Sequence, residues 1–423
     1  MDIYLGLGSN LGDRKNNLSK AIYLLEKSGV LILKISPIIE TPALLIEDSP
    51  SDWDLPFLNL VVFCRVTKDP ELFFLDIQKI ESQLGRVNNK KWSPRSIDID
   101  ILTWGNKIIS SKNLRIPHPK IKERNFVLTP LLSLNPKLKI PGIKKNIIDL
   151  STSIENHIPL WMGIINITPD SFSDGGAYKN IDDINNRINR MVENGVNIID
   201  IGGESTRPNA KIISSDEEWE RIFPMLQLLK EKRKHNVLYP HISVDTYHPE
   251  TAIKAIELGV EIINDVSGLT TPEMQDVAKN SKQDWIAMHN LGIPANKDKI
   301  IADESLDKIN ETIDKWLIKN IKIWEKSGID LSRIIFDPGI GFGKNSTQSY
   351  KILSCVGRFK KYGLRVLVGH SRKSFLNNIS KNQKNKDIET LGISMKLLKQ
   401  KVDILRVHNV EIHTRAYRSS LKV

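Results

Sequence analysis

The chain is expected to fold as two domains of different class: a small α+β domain over residues 1–150, a connecting stretch over 151–158, and a (β/α)8 TIM barrel over 159–423. Three observations predict this. At 423 residues the chain is too long for one ordinary core. The stretch Ser151-Thr-Ser-Ile-Glu-Asn-His-Ile-Pro159 is polar and ends in proline, as a domain seam does. Beyond it, short apolar β-type runs alternate with amphipathic helical patterns, the signature of βα units around a parallel sheet.

In the first half, Asp2–Leu7 reads as a strand, and Ser96–Ile101 alternates polar and apolar residues with a period of two. This half has fewer strands, joined by hairpin-like connections. The second half contains eight strand candidates: Trp161–Ile165, Ile198–Ile201, His241–Val244, Glu261–Asn264, Trp285–Met288, Ile334–Phe336, Val366–Val368 and Asp403–Val407. Eight strands over about 265 residues is the size of a TIM barrel. Helical patterns lie over Arg187–Glu193, Glu217–Lys232, Pro249–Leu258 and Leu306–Lys326, and Lys381–Asp387 is a solvated loop.

Composition narrows the class. Hydrophobic residues at 40% with 26% charged residues are those of a globular protein. The net charge of +11 raises nucleic acid as a partner. The lysines, however, are spread along the chain among Asn and Ile, and no nucleic-acid module accompanies them, so neither nucleic acid nor membrane is expected. Cys64 and Cys355 are the only cysteines and lie in no C-x-x-C, which predicts a reduced, cytoplasmic setting with both thiols buried. No apolar run approaches ~18 residues, and a strand directly after Met1 leaves no room for a signal or transit peptide.

Polar residues recur where the barrel strands end, the place where reacting groups sit in this architecture. Asn166 follows the first strand, Gly202-Gly203-Glu204 the second, Asp245 the third and Asn264-Asp265 the fourth. His289 follows the fifth and Asp337 the sixth; Gly369-His-Ser-Arg-Lys373 follows the seventh, and Arg406-Val-His408 ends the eighth. Any one of these reads equally well as a cap; a full set in register does not. Asp245, Asp337 and Asn264, with Lys373, suit the donor and acceptor edge of a flat heterocycle. Arg406, His408, Asn166 and the Ser205-Thr206-Arg207 loop suit a phosphate on the same ligand, and Asn166 with a pyrophosphate oxygen could hold Mg2+.

In the first half, Asp98 and Asp100 are two apart in a β-like run, so both carboxylates face one side while Ile97, Ile99 and Ile101 face the core. The bland reading is a polar strand face. Arg86, Arg95 and His118 tilt it toward Mg2+ and a triphosphate. Gly343-Lys344 is no P-loop, because Pro338 and Asn345 occupy positions that need Gly and Ser/Thr.

Residues 160–408 resemble dihydropteroate synthase through Asn166-Ile-Thr-Pro-Asp-Ser-Phe-Ser-Asp-Gly-Gly, Asp200-Ile-Gly-Gly-Glu-Ser-Thr-Arg-Pro, Ser243-Val-Asp-Thr, Ile263-Asn-Asp, Phe336-Asp-Pro-Gly-Ile-Gly-Phe-Gly-Lys344, Ser371-Arg-Lys-Ser and Arg406-Val-His408. The resemblance implies condensation of p-aminobenzoate with a pterin pyrophosphate. It implies pterin at Asp245, Asn264, Met288, Asp337 and Lys373, and pyrophosphate at Asn166, Thr206, Arg207, Arg406 and His408, with one Mg2+ at Asn166. It puts p-aminobenzoate near Phe172, Asp174, Thr206, Pro208 and Ser371, with Lys373 and Arg406 catalytic. A homodimer through the barrel is implied as well.

Residues 2–150 resemble hydroxymethyl-dihydropterin pyrophosphokinase, a ferredoxin-like α+β fold, through Leu5-Gly-Leu-Gly-Ser-Asn-Leu-Gly-Asp, Glu40-Thr-Pro, Phe57-Leu-Asn59, Gly85-Arg86, Trp92-Ser-Pro-Arg-Ser-Ile-Asp-Ile-Asp100 and Ile116-Pro-His-Pro. The resemblance implies two Mg2+ at Asp98 and Asp100, with Arg86 and Arg95 catalytic beside them. It implies ATP at Gln78, Glu81, Arg86, Arg95 and His118, and a pterin between Phe57 and Phe126, bonded by Asn59, Thr41, Ala43 and Leu44. Arg124 would lie near the transferred phosphates. Together the halves imply a bifunctional folate-biosynthesis enzyme acting on ATP, hydroxymethyl-dihydropterin and p-aminobenzoate. The competing readings are a pterin-binding methyl transferase and a catalytically silent pterin-binding scaffold. Intact Asp98, Asp100, Asn166, Asp245 and Lys373 argue against the scaffold.

Overall fold

The computed structural model describes residues 1–45, 47–86, 92–168, 181–206, 210–296, 299–379 and 386–421. The chain divides into two compact units, Met1–Ile158 with Asn236–Leu238, and Pro159–His235 with Tyr239–Val423.

The first unit contains β1 (Asp2–Ser9), α1 (Arg14–Lys27), β2 (Leu31–Ile35), β3 (Ile39–Thr41), β4 (Phe57–Arg65), α2 (Pro70–Gln83) and β5 (Asp98–Trp104). The short strands β6 (Ile109–Ser110) and β7 (Arg115–Ile116) follow, then helices α3 (Asn125–Leu134) and α4 (Ile147–Ser153). The antiparallel sheet runs β2-β4-β1-β5, with β3 on β4. The succession β1-α1-β2-β4-α2-β5 in that strand order is the ferredoxin-like arrangement.

Local chemistry starts the two helices of this sheet. The Asp13 carboxylate accepts the Asn16 N–H at 3.1 Å at the start of α1. Asp69 accepts the Glu71 N–H at 3.0 Å, and Pro70 takes the first helical position of α2, where no donor is needed. Alternation along β1 then builds two cores. Ile3, Leu5 and Leu7 pack with Leu18, Ile22 and Leu25 of α1 and Phe73 and Ile77 of α2. Tyr4, on the opposite face, packs with Val61, Leu102 and the α3 residues Val127, Leu128 and Leu131. α4 adds Ile147, Ile148 and Leu150 to this second core and extends to Ser153, three residues into the stretch expected to connect the halves.

The second unit is a closed barrel in the order β10-β11-β12-β13-β14-β15-β8-β9. Its strands are β8 (Leu160–Asn166), β9 (Ile198–Gly202), β10 (His241–Asp245), β11 (Ile262–Asp265), β12 (Asp284–Met288), β13 (Ile334–Asp337), β14 (Arg365–Val368) and β15 (Ile404–Val407), all paired in parallel. The described helices are α5 (Ile181–Glu193), α6 (Ser215–His235), α7 (Pro249–Glu257), α8 (Pro272–Asn280), α9 (Leu306–Lys326), α10 (Ser346–Cys355), α11 (Asp387–Lys399) and α12 (Val410–Ser420). α5 and α6 begin before the predicted ranges. Their first turns carry Asp182 and Asp183, and Asp216, Glu217 and Glu218, which favour a helix N-terminus without adding apolar periodicity.

At the N-terminal ends of the strands, polar side chains serve the scaffold. Asn197 Oδ1 accepts the Trp161 N–H at 2.8 Å. Asp403 accepts the Val366 N–H at 2.8 Å and pairs with buried Lys360 at 2.7 Å. Cys64 is buried as expected; Cys355, the last residue of α10, is only half-buried, short of the expectation.

Candidate active sites

In the first unit, β5 pairs with β1 so that Gly8 lies opposite Asp98 and Gly6 opposite Asp100. Ile97, Ile99 and Ile101 enter the core shared with α1 and α2, which leaves both carboxylates on the other face of the sheet. The two glycines clear space in front of them. A Cβ on Gly8 would stand 2.9 Å from Asn59 Oδ1 and 3.4 Å from the Phe57 ring. The result is a cleft of about 330 Å3 lined by Gly6, Gly8, Thr41, Leu44, Phe57, Asn59, Arg86, Arg95, Asp98, Asp100, Arg124 and Phe126.

Charges in this cleft are coupled. Arg86 reaches Asp98 at 2.8 Å and also pairs with Glu81, while Arg95 is 3.1 Å from Asp98. Arg124 lies 3.3 Å and His118 Nε2 3.8 Å from Asp100. Burial first, then neighbouring Asp98, pushes Asp100 up to about 7. Burial, reinforced by Arg124, lowers His118 to about 4, so its imidazole is neutral at pH 7. The Lys120 N–H points at His118 Nδ1 at 3.1 Å, which makes Nδ1 the acceptor and leaves the proton on Nε2. The Arg95 guanidinium lies 6.0 Å from the Phe57 ring and that of Arg124 5.4 Å from Phe126, within cation–π range. The Asn59 amide donates to Thr41 Oγ1 at 2.8 Å, leaving Oδ1 toward the cleft.

Not every residue expected here lines the cleft. Gln78 is exposed on α2. Ala43 sits between the lining residues Pro42 and Leu44 without joining them. Glu81 is buried; it accepts the Ile99 N–H at 2.8 Å and holds Arg86, so it acts through its neighbours. Asn10 carries a role that the sequence reading did not assign. Its Oδ1 accepts the Arg95 N–H at 2.8 Å, its own N–H donates to the Arg95 carbonyl at 3.2 Å, and Nδ2 donates to Leu55 O at 3.2 Å.

Among the described residues no group of three or more His, Cys, Asp or Glu is set to hold a metal. The close pair Asp98 and Asp100 still fits Mg2+, which takes one or two carboxylates and completes its shell with water and phosphate oxygens. Burial first and the Asp98 charge second raise Asp100, and a cation bound there would oppose both.

In the second unit the C-terminal ends of the strands converge on Arg406. Its Nε donates to Asp200 Oδ2 and its terminal nitrogen to Asp245 Oδ2, each at 2.6 Å. Asn264 Nδ2 donates to Asp200 Oδ2 at 3.2 Å, while Asp200 Oδ1 is buried with no hydrogen-bond partner in the protein. Burial pushes Asp245 up to about 7, partly opposed by Arg406. It raises Asp337 as well, although Asp337 accepts the Gly339 N–H at 2.7 Å. Lys373 Nζ donates to Ile340 O at 2.5 Å and lies 4.7 Å over the Phe342 ring. Burial lowers Lys373 to about 8, with Asp337 acting in the opposite direction. Met288 ends β12, buried and paired in register with Asp337.

The residues expected to face a phosphate are drawn together by Ser371, whose Oγ is 2.9 Å from His408 Nδ1 and accepts the His408 N–H at 3.2 Å. Arg187 of α5 donates to Ile164 O and His408 O at 3.2 and 3.3 Å, tying the ends of β8 and β15. Burial and nearby arginines hold His408 well below the usual histidine range. Asn166 is the last residue of β8, opposite Gly202. The Thr206 carbonyl accepts the Ala295 N–H at 3.4 Å. Phe172, Asp174, Arg207 and Pro208 lie outside the described residues.

Two members of the predicted polar set have other partners. His289 is fully buried, with Nδ1 2.8 Å from Lys344 Nζ, and Glu204 bonds Tyr247 and His248. Asp200, Arg187 and Lys344 went unassigned in the sequence. Of these only Asp200, a charge between isoleucines in a buried strand, gave a signal there.

Comparison with known proteins gives the same division. A family model described as 7,8-dihydro-6-hydroxymethylpterin-pyrophosphokinase matches residues 4–136, and one described as pterin binding enzyme matches residues 162–408. A folate synthesis bifunctional protein of Chlamydia caviae is 36% identical, over 98% of this chain and 96% of that one. One from Arabidopsis thaliana is 34% identical, over 99% and 95% respectively. A dihydropteroate synthase structure from Clostridium difficile, in the presence of pteroic acid, shares 35% identity with a TM-score of 0.56, covering 63% of this chain and 97% of that one. The synthase of Anaplasma phagocytophilum with bound 6-hydroxymethylpterin-monophosphate shares 32% at a TM-score of 0.56, covering 62% and 98%. Two matched families in one polypeptide, with relatives aligned from end to end, place this chain in the family of bifunctional folate-synthesis proteins, pyrophosphokinase first and dihydropteroate synthase second.

Proposed function

We propose that the first unit transfers pyrophosphate from ATP to the hydroxyl of 6-hydroxymethyl-7,8-dihydropterin, and that the second condenses the product with p-aminobenzoate to give 7,8-dihydropteroate and pyrophosphate. The observation that carries the reading is the presence, in one chain, of the Asp98–Asp100 pair faced by Gly6 and Gly8 and of the Asp200–Arg406–Asp245 network at the barrel mouth.

In the kinase half, the pterin ring lies between Phe57 and Phe126, with Asn59 Oδ1 accepting a ring N–H. Arg86 and Arg95 neutralise the triphosphate, and Arg124 and the Nε2–H of neutral His118 flank the phosphates near Asp100. Two Mg2+ held by Asp98 and Asp100 would supply charge neutralisation on the transferred group and the leaving AMP. Glu81 and Asn10 keep Arg86 and Arg95 in place from behind. The pterin oxygen attacks the β-phosphorus, the bond to AMP breaks, and the hydroxyl proton is released.

In the synthase half, Asp200 Oδ1 and Asp245 accept pterin N–H groups, Asn264 and Asp337 bond the remaining edge, and Lys373 donates to a ring acceptor. Asn166, Thr206, Arg207, Arg406 and His408 take the pyrophosphate, with one Mg2+ at Asn166. The methylene C–O bond breaks and its electron pair leaves on pyrophosphate, where the cations stabilise it. The amine of p-aminobenzoate, near Phe172, Pro208 and Ser371, then bonds the methylene carbon and loses a proton. A homodimer through the barrel and a cytoplasmic setting complete the reading, on the resemblance and the two free thiols.

A one-pot assay with hydroxymethyl-dihydropterin, ATP, Mg2+ and p-aminobenzoate tests the reading by following AMP and dihydropteroate. Both products form with the wild-type chain. Asp98→Ala abolishes both, while Lys373→Ala abolishes dihydropteroate and leaves AMP. AMP alone from the wild-type chain would refute the synthase assignment.

A further inference from the structure

Lys344 takes no part in the proposed chemistry, and the role inferred for it rests on the proposed synthase function. It lies in the turn after β13 and is only 5% exposed. Its Nζ donates to Phe342 O at 2.8 Å, points at His289 Nδ1 at 2.8 Å and reaches His289 O at 3.4 Å. A protonated amine carries three donors, and three acceptors meet them. None of the three is a carboxylate. Burial lowers the amine to about 7, with Asp337 pulling the other way. Burying an amine without a carboxylate in contact costs stability, and what this one secures is the turn.

The two ends of that turn are fixed by other means. At its start the His289 N–H donates to Asp337 O at 2.8 Å. Gly339, at φ +65, passes so close to the end of β12 that a Cβ there would stand 2.0 Å from His289 O. At its far end the Ile301 N–H donates to Gly343 O at 3.1 Å, and fully buried Gln348 holds Ile301 O at 2.7 Å. The segment between, Ile340 to Phe342, serves Lys373. Ile340 O accepts the Lys373 amine, the Phe342 ring lies under it, and a Cβ on Gly341 would stand 3.5 Å from the Lys373 Cδ. Lys344 holds the Phe342 carbonyl, while the Phe342 N–H donates back to Gly339 O at 3.0 Å. The Lys373 amine in turn feels Asp337, Arg406 and Asp245 at the barrel mouth.

We propose that Lys344 is a positioning residue that fixes the Ile340–Phe342 segment and, through it, aims the Lys373 amine at the pterin. Removing the Lys344 amine takes the donor from the Phe342 carbonyl and from His289 together. The segment is then held at its ends alone, and the carbonyl and ring that orient Lys373 lose their fixed place.

The test is calorimetric titration of the full chain with the pterin pyrophosphate, in Mg2+ and without p-aminobenzoate. It compares the wild-type chain with Lys344→Met, Lys373→Met and the double variant. The first unit binds the same ligand, and its unshifted site is the internal standard. Each single variant weakens the second site about tenfold, the scale of one charged hydrogen bond, and the double variant binds as Lys373→Met does. A lysine that only supports the fold would add its own factor, about a hundredfold in the double variant, and that result overturns the proposal. A Lys344→Met chain that binds like wild type overturns it as well. Should Lys344→Met not fold by circular dichroism, Lys344→Gln, whose amide stops one bond short of the Nζ position, repeats the cycle. A wild-type chain with no second site and no dihydropteroate sinks the synthase function itself, whereas two wild-type sites with additive variants sink this inference alone.

Discussion

Replacing Asp100 with asparagine should make the ligand-free first unit more stable while destroying its catalysis. Burial beside Asp98 raises the Asp100 carboxyl from 3.8 to about 7, so the fold holds this charge at a cost. At ~1.36 kcal/mol per pH unit the rise amounts to at most about 4 kcal/mol, and solvent screening of a partly exposed, arginine-flanked side chain reduces it to about 1–2 kcal/mol. Linkage sets the sign. A carboxyl whose folded pKa is raised contributes most stability below its unfolded pKa, and that contribution is lost as pH climbs toward the folded value. Asp100→Asn should therefore raise the unfolding temperature of the first unit at pH 8 and leave it nearly unchanged at pH 4. Scanning calorimetry of the full chain without nucleotide or Mg2+ reads this directly. ATP with Mg2+ should stabilise the wild-type chain at pH 8 far more than the variant. A variant less stable than wild type at pH 8 would refute the argument that the ligand-free fold holds the Asp100 charge at a net cost.

Further predictions concern the residues around that pair. Gly8→Ala puts a methyl group 2.9 Å from Asn59 Oδ1, so pterin affinity of the first unit, measured by calorimetric titration, should fall with little change in nucleotide affinity. Asn10→Ala removes two side-chain hydrogen bonds that hold Arg95 and Leu55. At about 1 kcal/mol per bond it should lower AMP formation roughly tenfold or more, while the synthase rate from supplied pterin pyrophosphate is unchanged.

Period and composition made the barrel legible before any coordinates, because its eight strands are apolar runs between helices. Their C-terminal limits were less so. β8, β9, β10, β11 and β13 each run one residue beyond the predicted end, to Asn166, Gly202, Asp245, Asp265 and Asp337. The parallel ladder continues through a polar residue as readily as an apolar one, and hydrophobicity does not register that. Asp98 and Asp100 were readable because a strand alternates faces. Asn10 and Arg187 were not, since their partners lie 85 and up to 221 residues away, and only the fold brings them together. The positions of Glu204 and His289 after their strands were read correctly, but what each side chain bonds depends on tertiary neighbours that sequence spacing does not encode.

The Arg406 fork balances two buried carboxylates with a single guanidinium. Without ligand, the Asp245 carboxylate is already engaged by a guanidinium at 2.6 Å. On the proposed assignment a pterin reaching for Asp245 would share that carboxylate with the arginine. One that carries pyrophosphate brings the competing anion with it and draws the guanidinium away as the ring docks. One still bearing a free hydroxyl brings no such anion, and Arg406 would stay on its two aspartates, whose other lone pairs can still accept. On the proposed assignment the second unit would thus hold both aspartates ready in the absence of pterin, their charge balanced by the same arginine that takes the pyrophosphate.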